Sequence, residues 1–274
     1  MNNEQLESLE LELLFKALDE KYDYDFRKYA PESARRRVRQ RVREEGLSSI
    51  SQLMHKVLHE EDAAEALLKQ LSINVTEMFR DPMFYQSIRK HVLPWLKQLG
   101  HFKIWHAGCA TGQEPYSMAI MLKEAGIYEH ARIYATDFNN AALEVAKNGI
   151  YSLRDMQTYS TNYLVAGGQH SLSDYYYANY DAALIDADLK KNILFSNHNL
   201  AKDAGLNDIQ LIVCRNVIIY FDHDLQHNVL QTFTNNLSEG GYLCLGSHES
   251  LQLTGHQKDY ETIDAEQRIF RKIS

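Results

Sequence analysis

The sequence predicts an α/β protein in two parts: an all-helical N-terminal domain over residues 1–88 and a Rossmann-like domain over 89–274. Three observations carry this reading. Up to Val92, apolar residues recur at helical spacing. From Gly100 onward, short strand-like runs alternate with helical stretches, the pattern of a largely parallel sheet covered by helices. One of those strands runs into a glycine turn that opens a helix, within Lys103 to Ala119. The 274 residues are 45% hydrophobic, enough for a large core, and 4 prolines and 13 glycines argue against long linkers.

Leu11, Leu14, Phe15 and Leu18 mark the first helix. Ser33 is expected to cap a second, over 33–45, with Val38 and Val42 inward and Arg35, Arg36, Arg37, Arg39, Arg41 and Arg43 outward. Leu53, Met54, Val57 and Leu58 mark a third helix, and Ala63, Ala64, Leu67, Leu68 and Leu71 a fourth. Asp81-Pro82 supplies a capping acid and a first-turn proline for a fifth, carrying Phe84, Ile88 and Val92. Strands are expected at 102–106, 132–136, 192–195, 210–214 and 241–245, with 260–263 and 268–273 as an antiparallel edge hairpin. Residues 152–191, rich in tyrosine and containing a Gly167-Gly168 turn, read as an inserted subdomain. Two readings of it stand side by side, a packing unit and a lid or docking surface.

A net charge of −8 and a pI near 5.8 argue against a dedicated nucleic-acid binder. The acidic, polar stretch from Met1 to Glu12 does not read as a signal peptide. The longest apolar run, 209–221, is interrupted by Arg215 and Asn216, so no membrane span is expected. Cys109, Cys214 and Cys244 lack metal-ligand spacing and read as buried thiols of a cytoplasmic protein that binds no metal.

The loop Ala107-Gly-Cys-Ala-Thr-Gly-Gln-Glu114 says most about function. A strand–turn–helix of this kind brings backbone N–H groups close to a cofactor. Glu114 at the helix start would repel a diphosphate but suits a cationic ligand such as S-adenosylmethionine, with its ammonium and sulfonium groups. That carboxylate, and the absence of Gly-x-Gly-x-x-Gly, count against a nicotinamide-dependent oxidoreductase. Asp137, ending the second strand, is placed for ribose hydroxyls, and Asn199 for an adenine edge. Arg215 and Asn216 are polar groups at another strand's carboxyl end.

Read together, these segments resemble the CheR-type protein-glutamate O-methyltransferases of bacterial chemotaxis. The similarity runs through Asn-x-Thr-x-x-Phe-Arg-Asp at 74–81, Ala-Gly-Cys-x-Thr-Gly-x-Glu-Pro-Tyr-Ser at 107–117 and Ala-Thr-Asp at 135–137. It continues in His-Asn-Leu at 198–200, Cys-Arg-Asn-Val-x-Ile-Tyr-Phe at 214–221 and Gly-Gly-Tyr-Leu-x-Leu-Gly at 240–246. The resemblance implies a helical domain, then a Rossmann-like methyltransferase domain with a small inserted β-subdomain. It implies S-adenosylmethionine as methyl donor, S-adenosylhomocysteine as product, and glutamates of a chemoreceptor or related signalling protein as acceptors. By motif matching, Asn74, Thr76, Arg80, Ala107, Glu114, Asp137, Asn199, Leu200, Asn216 and Val217 line the cofactor site. Arg80 and Tyr220 are the implied catalytic residues, Arg80 steering the acceptor carboxylate and Tyr220 shaping the methyl-transfer pocket.

The basic helix, through Arg36, Arg39 and Arg43, is expected to dock glutamate-rich helices by charge. A monomer is expected. The sequence departs from the family wording at Gln113, where an acid is usual, at Met78, where an aromatic is common, and through the insertion. The insertion's wording differs from the β-subdomain that docks a receptor's C-terminal peptide in some family members and is more similar to a related subfamily whose members need not act on classical chemoreceptors. The competing class is a non-catalytic S-adenosylmethionine-binding scaffold in a chemotaxis-like pathway. A nucleic-acid methyltransferase fits the acidic charge less well.

Overall fold

The computed structural model describes residues 2–29, 31–72, 76–252 and 255–273. The chain forms two compact units, Met1–Ile73 with Ile219–Gln226, and Asn74–Ile218 with His227–Ser274. The expected helical domain extended to residue 88, whereas the helix starting at Pro82 falls in the second unit.

The first unit holds helices α1 (Asn3–Tyr22), α2 (Pro31–Glu44), α3 (Ile50–His59) and α4 (Glu61–Leu71). Asn2 and Gln5 form a reciprocal capping box that starts α1. Leu14, Leu18, Val38, Leu53, Val57 and Leu67 are fully buried, one apolar stripe per helix turned inward. Helix α2 begins at Pro31, so Ser33 lies inside the helix and is not its cap. Its arginines are not uniformly outward. Arg35, Arg37 and Arg41 are half-buried, while Arg36, Arg39 and Arg43 are exposed. Arg37 turns in because the end of α4 presents orphan carbonyls: its Nη1 donates to Gln70 O at 2.9 Å.

The second unit starts with α5 (Pro82–Ser87), a π-helical turn Ile88–Val92 and α6 (Leu93–Leu96). The π turn falls just before Pro94, which has no N–H to continue the regular ladder. There follow β1 (Phe102–Ala107), α7 (Gln113–Glu124), β2 (Ala131–Asp137) and α8 (Asn140–Asn148). The insertion comprises β3 (Ile150–Ser152), α9 (Leu153–Val165), β4 (Tyr176–Asn179), β5 (Ala182–Ile185) and α10 (Ala187–Lys190). The chain returns through β6 (Ile193–Asn197), β7 (Ile209–Cys214), α11 (His223–Asn236), β8 (Leu237–Leu245), β9 (Tyr260–Asp264) and β10 (Ile269–Lys272).

The main sheet has the order β6-β2-β1-β7-β8-β10-β9. Its first five strands pair in parallel, and the expected hairpin is present, with β10 antiparallel to both β8 and β9. Strand order reverses between β1 and β7, which makes their carboxyl ends the crevice where open α/β sheets bind ligands. The insertion has its own antiparallel sheet, β3-β5-β4, backed by a 13-residue helix. Its tyrosines divide: Tyr159, Tyr163 and Tyr175 are buried, whereas Tyr177 and Tyr180 are 65% and 93% exposed.

Candidate cofactor and acceptor site

Four parallel strands deliver most of the expected site residues to one edge of the sheet. Ala107 ends β1, Asp137 ends β2, Asn199 and Leu200 follow β6, and Asn216 and Val217 follow β7. Strand geometry alone sets this grouping, since neighbouring parallel strands finish side by side.

The turn after β1 is built for close approach. Gly108, Ala110 and Gly112 all have left-handed backbones, with φ of 82°, 47° and 92°. A side chain at Gly108 would sit 2.4 Å from Val217 Cγ2, so only glycine lets the β1 and β7 loops touch. The N–H groups of Gly108 and Cys109 donate to Thr136 O at 2.8 and 2.9 Å, tying the turn to β2. Asp137 accepts from Ala110 N and Asn139 N, each at 2.9 Å. Burial raises its pKa, and these N–H donors act against that rise.

Glu114 lies in the first turn of α7 and is already bound on both oxygens. His106 Nδ1 donates to Oε1 at 3.0 Å, and Arg215 Nη1 donates to Oε2 at 3.2 Å. Burial raises the Glu114 pKa, but His106 and Arg215 more than offset this, and its net pKa is lowered. From its place at the helix start, this carboxylate is expected to face a cationic ligand. The structure adds that it also neutralises a buried arginine, with one further lone pair on each oxygen.

Arg215 is the residue whose part in the site the sequence pattern understated. Its side chain is 3% exposed and bridges the crevice. Nη2 donates to Asp81 Oδ2 at 2.6 Å, Nη1 reaches Arg80 O at 3.4 Å, and the guanidinium lies 4.1 Å from the Phe84 ring centroid. Asp81 therefore does not cap α5: it is left-handed at φ 56° and makes no capping hydrogen bond. Phe79 is left-handed as well, at φ 53°, and its N–H donates to Ser117 Oγ at 2.9 Å. Arg80 thus sits between two anchored neighbours.

Glu249 had no sequence signal, because it lies outside every strand end and quoted motif. It is 3% exposed and accepts from the backbone N–H of Asn216, Val217 and Gly246 at 3.1, 2.8 and 2.5 Å.

Other expected positions are less converged. Asn199 Oδ1 accepts from Ala201 N at 3.0 Å, a local turn contact. Thr76 is half-buried in the segment before α5, and Asn74 lies outside the described residues. Tyr220 belongs to the helical unit, where it lines a pocket with Phe26, Tyr29, Ala34 and Arg37, its ring 5.9 Å from the Arg37 guanidinium. Arg36, Arg39 and Arg43 share one open groove with Glu32 and Ser33. Arg39 is compensated there by a two-pronged pair with Glu7 at 2.5 and 3.0 Å. Gln113 is buried and accepts from the Thr111 hydroxyl at 2.8 Å.

Comparison with known proteins identifies both parts of the chain. Residues 9–72 match the CheR methyltransferase all-alpha domain, and residues 74–269 match the CheR methyltransferase SAM-binding domain. The chain belongs to the CheR methyltransferase family. It is 43% identical to "Putative methyltransferase Cher3" of Pseudomonas putida over 99% of this chain and 100% of that one. It is 32% identical to a chemotaxis protein methyltransferase of Listeria monocytogenes over 68% of this chain and 69% of that one. A 104.1 kDa Rhodobacter capsulatus protein is 27% identical over 92% of this chain, which spans 26% of that longer protein.

The donor set fits S-adenosylmethionine. Two carboxylates, Asp137 and Glu114, flank the turn, and no lysine or arginine occurs from Ala107 to Glu114 to hold a diphosphate. No helix among the described residues is long and apolar enough to cross a membrane.

Proposed function

We propose that this chain transfers a methyl group from S-adenosylmethionine to glutamate carboxylates of a chemoreceptor or related signalling protein, forming glutamate methyl esters. The observation that carries the reading is the pair of carboxylates at the glycine turn, Asp137 from the end of β2 and Glu114 from the first turn of α7, with no lysine or arginine in the turn itself and the neighbouring Arg215 already paired to Glu114 and Asp81. Relatives named chemotaxis protein methyltransferase support the chemotaxis setting of this reading.

The chemistry supplied by bound S-adenosylmethionine is an electrophilic methyl on a sulfonium. A glutamate carboxylate, with a pKa near ~4.3, is already ionised at neutral pH and needs no strong base. The chain's own task is orientation and exclusion of water. In this reading Asp137 accepts from the ribose hydroxyls, and Glu114 offers its remaining lone pairs to the ammonium. Thr76, Ala107, Asn199, Leu200, Asn216 and Val217 complete the cofactor contacts. Asn74, outside the described residues, is assigned with them by motif. Arg80 holds the acceptor carboxylate and Tyr220 shapes the transfer pocket. The insertion at 152–191 and a monomeric state belong to the same reading.

The test incubates the protein with methyl-labelled S-adenosylmethionine and a lysate of its source. Label released by base as volatile methanol is expected. Base-stable label refutes the ester, and unlabelled protein favours a non-catalytic cofactor-binding module. Arg80→Ala should lower turnover by about two orders of magnitude, since misplacement of the acceptor is that costly. Near-normal turnover removes Arg80 from the acceptor role.

A further inference from the structure

We infer that Glu249 is a positioning residue for the cofactor, acting through the Asn216–Val217 turn. This rests on the reading that Asn216 and Val217 contact S-adenosylmethionine. Asn216 is left-handed, at φ 60°. A left-handed residue at a strand end turns successive N–H groups toward one side and forms a small anion-binding nest. Here the nest is filled from within the chain: Asn216 N donates to Glu249 Oε2 at 3.1 Å and Val217 N donates to Oε1 at 2.8 Å. Gly246 N, at the end of β8, donates to Oε2 at 2.5 Å. One buried carboxylate therefore locks the loop after β7 to the loop after β8. A side chain at Gly246 would lie 2.7 Å from Asn216 N and 2.9 Å from Glu249 Oε2, so the lock has no spare room.

The consequence is directional. With both N–H groups committed to Glu249, the Asn216 side chain and the Val217 methyls are the parts left to face other groups. Val217 is held 2.4 Å from the place where a Gly108 Cβ would be. Glu249 thus fixes how closely the β7 loop approaches the β1 cofactor turn without touching the ligand. An amide at this position keeps one acceptor oxygen but sets an NH₂ against backbone N–H groups, which removes charge-assisted bonds.

The experiment measures S-adenosylhomocysteine binding to the full chain by calorimetry. Wild type comes first: no binding there defeats the cofactor reading itself. If wild type binds, Glu249→Gln with an unchanged melting profile should bind about tenfold to hundredfold more weakly. Equal affinity in a folded Glu249→Gln protein overturns the positioning role. If that variant does not fold, amide exchange in wild type decides. Protection of the Asn216 and Val217 amides should rise with added S-adenosylhomocysteine by the factor its binding predicts. The two amides are read where they exchange by local opening, below the global unfolding free energy that any native-state ligand raises; a local opening that leaves binding intact gives no rise at them, and that result refutes the inference.

Discussion

Arg215 shows how one side chain can hold two parts of a site in a fixed relation. It is nearly inaccessible and carries Glu114 and Asp81 as counter-charges. Burying an ion pair adds little net stability, but deleting one member strands the other. Arg215→Met should therefore cost about 3 kcal/mol in urea unfolding, and markedly less in combination with Glu114→Gln. Equal costs in the two backgrounds would mean that the pair is not coupled. Glu114 also sets an acid limb. Its native pKa lies below its unfolded value, so its contribution is present above roughly pH 4.3 and lost as pH falls through the native value. The Tm of Glu114→Gln should fall less steeply below that pH than wild type; parallel curves would contradict the linkage.

At the scale of elements, the insertion is fastened by a buried carboxylate at the end of α7. Glu124 Oε1 accepts from the Tyr163 hydroxyl and from Gln169 N at 2.9 Å, and Oε2 accepts from Arg89 Nη2 at 2.5 Å. The Gly167-Gly168 turn wraps this hub, and a Cβ at Gly168 would lie 2.3–2.5 Å from Tyr163 ring atoms. That ring is buried and anchored, so it has nowhere to move. Gly168→Ala should cost about 1–3 kcal/mol and raise protease sensitivity within 153–185 before elsewhere. A neutral substitution would show that α9 shifts without penalty. The basic helix makes a second element-scale prediction. Arg36 and Arg43 have no ion pair among the described residues, whereas Arg39 is held by Glu7. Charge reversal at Arg36 and Arg43 together should raise the acceptor KM and flatten its salt dependence, while Arg39→Ala has the smaller effect. A KM that ignores salt in wild type would remove the docking role.

At the scale of the whole molecule, the sequence was most legible where periodicity and topology act alone. The four helices of the first unit, the parallel strands and the terminal hairpin follow from apolar spacing, because each buries one face or both. The grouping of Ala107, Asp137, Asn199 and Asn216 follows from the same source, since residues at the ends of parallel strands converge. What was not legible depends on long-range side-chain pairing. Ser33 and Asp81 carry capping chemistry by type, yet one lies inside a helix and the other bonds Arg215 from 134 residues away. Glu249 was silent because a carboxylate that accepts from a distant backbone leaves no periodic trace. Arg37 read as solvated until the end of α4 offered it a carbonyl.

The two left-handed residues on either side of Arg80 bear on time as well as shape. Phe79 is held through its N–H by Ser117, and Asp81 through its carboxylate by Arg215. With the root of Arg80 fixed at both ends, adjustment there falls to its own side-chain torsions and not to the slower rearrangement of a loop. In the proposed acceptor role, the entropy that arginine surrenders is then confined to its own side-chain torsions, since the backbone beneath it was ordered when the chain folded.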